Sequence, residues 1–121
     1  MAIKRITATV TTDSSGDATA SFQNANGLFY QVRYVVDGVS PLATGADITL
    51  IEDDTGLNVL TMANIGTSSL VRSPRLLSAD SSNGTVGTNS DLIAVAGDLT
   101  LTIAQGGDTK TGVFHVYILE V

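Results

Sequence analysis

An all-β, antiparallel fold of about eight or nine strands, with little or no helix, is the class this sequence predicts, and three observations predict it. Apolar and polar residues alternate with period two over most of the chain, with Thr the commonest polar partner. Turn-forming residues interrupt that alternation about every 10 residues, the rhythm of a sandwich or barrel. No window carries an apolar stripe of period 3.6, the mark of an amphipathic helix.

The elements follow in order. In Ile6 to Thr11, the set Ile6, Ala8, Val10 alternates with Thr7, Thr9, Thr11. This reads as a half-buried strand with Thr on the wet face, where its branched Cβ suits the pleat and its hydroxyl meets water. Residues 1–5, with Lys4 and Arg5, read as a short basic arm ahead of it. Asp17 to Phe22 repeats the pattern with Ala18, Ala20 and Phe22 inward. Leu28 to Val36 is a longer strand, with Leu28, Tyr30, Val32, Tyr34 and Val36 expected on one face. Asp47 to Glu52 and Leu57 to Met62 flank Asp53-Asp54-Thr55-Gly56, a hairpin turn with Gly at the left-handed position. Val71 to Leu77 and Asp91 to Val95 are shorter strands. Asp98 to Ala104 alternates again, with Leu99, Leu101 and Ile103 inward. Val113 to Val121 is apolar on both faces, as a central or covered strand is. Residues 63–69, 78–90 and 105–111 read as loops, the second long for a compact domain. Residues 1–121 thus read as one domain.

Composition narrows the function. The chain has 121 residues, 43% of them hydrophobic, enough for a core. It has no cysteine, so a disulfide framework, a thiolate metal site and a cysteine nucleophile are excluded. A net charge of −6 with six basic residues argues against a nucleic-acid groove or a polybasic membrane patch. Met1 to Ile6 leads into alternating Thr rather than an apolar leader core, so synthesis in a host cytoplasm is the expectation.

Enzyme signals are weak. Gly106-Gly107-Asp108-Thr109-Lys110-Thr111 lacks the two glycines a phosphate loop needs, since Thr109 precedes Lys110 and Ala104 stands five residues before Thr109; a hairpin turn is the expectation. His115 is the one histidine and lies mid-strand; catalysis would need a carboxylate such as Asp108 or Glu120 beside it. Glu52-Asp53-Asp54 and Asp80 to Gly84 are rich in oxygen ligands, but neither follows the calcium-loop spacing. Tryptophan is absent and aromatics are 5%, which weakens a sugar-binding reading. No catalytic residue, cofactor or metal is assigned.

Partner signals are better. Val71-Arg72-Ser73-Pro74-Arg75-Leu76 sets two of the six basic residues around a proline beside apolar neighbours, and Arg is favoured at interfaces. Soluble monomers blunt sheet edges with Lys, Pro or inward charge. This chain has two lysines and two prolines, so edges covered by neighbouring subunits are expected.

Taken together, Met1 to Ile6 leading into the Thr-alternating strand, Asp47 to Gly56, Arg72-Ser73-Pro74-Arg75, Ala94 to Ile103 and Phe114 to Leu119 give a chain that resembles small virion structural proteins of tailed bacteriophages, most of all head decoration (cement) proteins. The resemblance implies a jelly-roll-like β-sandwich, non-enzymatic, commonly a homotrimer, placed on the capsid exterior against the major capsid protein. Neck, tail or spike-associated β-domains share the style. A carbohydrate- or calcium-binding module using 78–90 is the rival from another class. On the cement reading Ile3, Lys4, Arg5, Arg72 and Arg75 are the interface residues expected to meet an acidic capsid surface.

Overall fold

The computed structural model describes residues 2–79 and 85–120. Among them eleven strands form: β1 Ala2–Thr11, β2 Ala18–Phe22, β3 Gly27–Val36, β4 Asp47–Glu52, β5 Asn58–Met62, β6 Leu70–Arg72, β7 Leu76–Ala79, β8 Thr85–Asp91, β9 Ile93–Val95, β10 Leu99–Ala104 and β11 Thr111–Glu120. No described residue is helical. Every strand pair is antiparallel.

Nine of these strands build two facing sheets. One runs β1-β11-β3-β6, with β9 continuing β6 along the same side of β3; the other runs β2-β10-β4-β5. The chain therefore steps between sheets at β1 to β2, β2 to β3, β3 to β4, β5 to β6, β9 to β10 and β10 to β11, which is the winding of a jelly roll. Between the sheets lie the side chains the alternation points inward, among them Val10, Phe22, Val32, Tyr34, Ile48, Leu50, Leu99, Leu101, Ile103, Phe114, Val116 and Ile118. Tyr34 and Phe114 stack at 5.1 Å between ring centroids, and the Tyr34 hydroxyl donates to the Gly66 carbonyl at 2.7 Å.

Several expectations change. Residues 2–5 are no arm: they pair with Tyr117 to Glu120 and open β1, because the end of β11 needs a ladder partner. On β3 the expected face switches at a bulge. Gln31 lies opposite Tyr117 but Phe29 lies opposite Ile118, so Tyr30 is an extra residue. The bulge reverses the parity below it. Phe29 is buried, and Leu28 and Tyr30 turn outward. The stretch Val71 to Leu77 is broken after Arg72, where Pro74 has no N–H for a ladder. Much of the expected loop 78–90 is strand: β7 and β8 pair as a hairpin, and residues 80–84 lie outside the described set. Residues 105–111 are not a hairpin turn, since β10 and β11 belong to different sheets. The segment crosses between them, held by Gly106 N–H to Gly16 O at 2.8 Å and Ala43 N–H to Gly106 O at 2.9 Å.

The turn after β4 is as the sequence reads. Gly56 sits at φ +73°, and its N–H donates to Glu52 O at 2.8 Å. β11 is central, between β1 and β3.

Candidate functional site

The two outer faces differ, and the difference singles out one of them. On the four-stranded sheet, Thr19, Thr102, Thr49 and Thr61 stand in register across all four strands, a row of hydroxyls. On the five-stranded sheet the outward positions are Ile3, Arg5, Thr7, Thr9 and Thr11 of β1, Val113, His115, Tyr117 and Leu119 of β11, Leu28, Tyr30, Gln31, Arg33 and Val35 of β3, Val71 of β6 and Ala94 of β9. None of these is acidic, in a chain with twelve Asp and Glu against six Lys and Arg. Ile3, Val35 and Val71 are 59%, 42% and 50% exposed, while Val113 and Leu119 are half-buried.

Two cross-strand rows occupy the centre of this face. Arg5 lies opposite Tyr117, which lies opposite Gln31; Thr7 lies opposite His115, which lies opposite Arg33, which lies opposite Val71. Directly opposed side chains are within contact range in an antiparallel pair. The Arg33 guanidinium stacks on the Tyr117 ring, 4.5 Å from its centroid, and its Nε–H donates to Gln31 Oε1 at 2.7 Å. Gln31 Nε2 in turn donates to Ser73 Oγ at 3.2 Å. His115 Nδ1 and Thr7 Oγ1 are 2.7 Å apart.

At one end the face falls into an open cleft of about 460 Å³ lined by Leu28, Tyr30, Arg75, Ser90, Asp91 and Leu92. The β7–β8 hairpin leaves the sheet edge after β6 and returns as β9, leaving a gap in the ladder opposite Tyr30 and Gln31. Arg75 fills it: one terminal amine donates to Tyr30 O at 3.1 Å and to Pro74 O at 2.8 Å, and its guanidinium lies 5.5 Å from the Tyr30 ring centroid.

The five sequence-predicted interface residues thus separate. Ile3 and Arg5 lie on the outer face. Lys4 turns to the opposite side, its Nζ donating to Asn24 O at 2.8 Å. Arg72 is exposed at the sheet edge and donates to Val71 O at 3.0 Å. Arg75 is engaged in closing the ladder gap, so reversing its charge disturbs the fold as well as the surface. Sequence reasoning passed over Arg33 and Tyr117, although a charge inside Tyr30-Gln31-Val32-Arg33-Tyr34 is legible as an outward position once Val32 and Tyr34 are placed inward.

His115 is bonded to Thr7, while Asp108 Oδ1 accepts from Thr109 Oγ1 and Glu120 lies opposite Ala2 at the far end of β11. Among the described residues no cluster of three His, Asp or Glu side chains could hold a metal. Glu52 is buried; its carboxylate accepts from the Thr55 hydroxyl and from Ala96 N–H at 2.8 Å, tying the β4–β5 turn to the end of β9. Those two hydrogen bonds, Thr55 first, hold its carboxyl below the usual glutamate range against the opposing effect of burial.

No protein-family model matches the chain, and no curated protein matches it. Among solved structures it is similar to FlhE, at 10% identity and a TM-score of 0.47, over 99% of this chain and 100% of that one. It is also similar to VP2 of infectious bursal disease virus in its subviral particle, at 20% identity and a TM-score of 0.32, over 97% of this chain and 32% of that one. The T13 particle of the same virus matches at 16% identity and a TM-score of 0.30. The chain spans about a third of the length of the VP2 chains, 32% and 31%. Viral capsid proteins are thus among its structural neighbours at low identity, and the chain itself is an all-β, two-sheet sandwich.

Proposed function

We propose that this chain is a non-enzymatic viral structural protein that decorates the outside of a bacteriophage capsid and cements it by bridging major capsid protein subunits. The observation that carries this reading is the five-stranded sheet's outer face: a surface with exposed Ile3, Val35 and Val71 among arginine and hydroxyl side chains and no acidic residue at its outward positions, beside an open edge. That edge is β1, ten residues long and paired through its whole length with β11 without a bulge. Apart from that pairing, no backbone–backbone bond of Ala2 to Thr11 occurs among the described residues. Such an edge is a template for another chain, and an exposed apolar patch suits a protein contact.

Cementing needs only binding. A contact of standard size, about 1,600 Å² in total, repeated at every capsomer boundary, raises the temperature at which the shell opens. The self-association expected on this reading, with a trimer favoured, covers the β1 edges before or during docking. Two measurements test the proposal. Purified chain added to undecorated shells of the encoding virus should co-sediment with them and raise their thermal opening transition. Light scattering after size exclusion should give three times the chain mass. An unchanged transition at saturating protein refutes cementing; a monomer at all concentrations refutes a preformed trimer.

A further inference from the structure

The geometry points to Arg5, Arg33 and Tyr117 as the centre of the docking surface, reading paired carboxylates on the capsid protein; this rests on the cement reading above. Three features select that partner chemistry. The first is charge segregation. The chain is net −6, yet none of these outward positions on β1, β11, β3 and β6 is acidic and two of the six basic residues are there.

The second is preorganisation. Stacking on Tyr117 and the Nε bond to Gln31 fix the plane of the Arg33 guanidinium, and no other hydrogen bond of that group occurs among the described residues. Its two terminal amines remain a fork that matches a carboxylate bidentately, with little side-chain freedom left to lose. Arg5 flanks the same ring from the other neighbouring strand. Arg5 and Arg33 stand on the two strands that flank β11, so the face offers two guanidinium groups, suited to two carboxylates rather than one.

The third is the surround. Ile3, Val35 and Val71 are exposed around the cluster, with half-buried Val113 and Leu119 beside it. Aromatic and arginine anchors within an apolar surround are the composition of a binding hot spot. Four strand spacings by ten residues make the face roughly 20 Å by 30 Å, about 600 Å² before side chains are counted, near what one partner of a standard interface buries. A second copy docking face to face through this surface would set arginines against arginines with no carboxylate to answer them; the proposed partner is the capsid protein, and a second copy offering another of its faces is an outcome of the test.

The test uses the full chain and undecorated shells of the virus that encodes it, with co-sedimentation as readout. Arg5→Ala with Arg33→Ala should weaken binding by at least about 30-fold, with an unchanged melting curve. Thr19→Glu with Thr61→Glu, which shifts net charge by the same two units on the opposite face, should stay within about threefold. Arg33→Lys, which keeps the charge but not the fork, should lose about tenfold. Equal losses from both double variants, or none from the arginine pair, overturn this docking face and leave the cement reading standing. If the unaltered chain does not sediment with the shells, the cement reading falls and the docking face with it. If the arginine pair instead dissociates an oligomer of the free chain without changing shell binding, a second copy occupies the face and the inference is wrong.

Discussion

Removing one oxygen tests the core's polar arithmetic. Tyr34 is 1% exposed, its ring stacks on Phe114, and its hydroxyl donates to the buried Gly66 carbonyl. Tyr34→Phe keeps the ring and deletes the donor. The net worth of such a bond is about 1 kcal/mol, and leaving the carbonyl dry and unpaired adds to that, for a loss of about 1.5 kcal/mol. With an unfolding entropy of about 2.1 cal/mol/K per residue, 121 residues give about 0.25 kcal/mol/K, so the melting temperature should fall by about 6 °C. Tyr34→Ala should cost about 3–5 kcal/mol, because it also empties the space against Phe114. Burial raises the phenol above its ordinary value of 10.0, a Leu42 backbone contact opposes this, and the Asp37 charge adds to it. A group ionising less readily when folded contributes stability that is complete below the unfolded value and is lost as pH rises through the folded one. The parent should therefore lose stability above pH 10 more steeply than Tyr34→Phe. Urea melts of the three proteins across pH decide the matter. A Tyr34→Phe protein within about 0.5 kcal/mol of the parent would show that Gly66 finds another donor, and the reasoning fails.

Other perturbations have defined outcomes. Glu52 ionises more readily folded than unfolded, so its contribution is present above the unfolded value and is lost as pH falls through the lowered one; Glu52→Gln should flatten the acid limb of a stability–pH curve, and an unchanged limb would count against the Thr55 and Ala96 bonds. Gly66→Ala would put a Cβ 2.3 Å from Thr44 Cα and 2.5 Å from Ala43 O, both backbone, so a loss of about 3 kcal/mol or more is expected in a denaturant melt. Arg75→Ala should uncover the Tyr30 carbonyl and cost about 1 kcal/mol, with faster amide exchange confined to β6, β9 and the hairpin; uniform exchange would refute its role as the ladder's filler. His115→Ala should leave the fold intact apart from the lost Thr7 contact, which a thermal melt checks.

Much of the sandwich is legible in the chain. Ile6, Ala8, Val10 and Leu99, Leu101, Ile103 alternate and point inward as written, and Gly56 takes the left-handed φ its turn requires. β8 was missed because Thr85-Val86-Gly87-Thr88-Asn89-Ser90-Asp91 lacks an apolar face; it is a strand only because β7 pairs with it. The docking candidates divide in the same way. Arg5 is outward by parity alone, whereas Arg75, expected at the capsid interface, is engaged by the Tyr30 carbonyl 45 residues away in sequence.

The sequence by itself determined the strand periodicity, the inward residues of most strands, the turn at Gly56 and the low, segregable charge, because each depends on neighbours a few residues apart. Only the tertiary structure decided the order β1-β11-β3-β6 over β2-β10-β4-β5, the bulge that turns Tyr30 outward, the split edge filled by Arg75, and the stacking of Arg33 on Tyr117 with Arg5 opposite that ring. Those depend on which strands pair and in what register. Pairing joins residues as far apart as Ala2 and Glu120, through hydrogen bonds and buried area that no local pattern encodes.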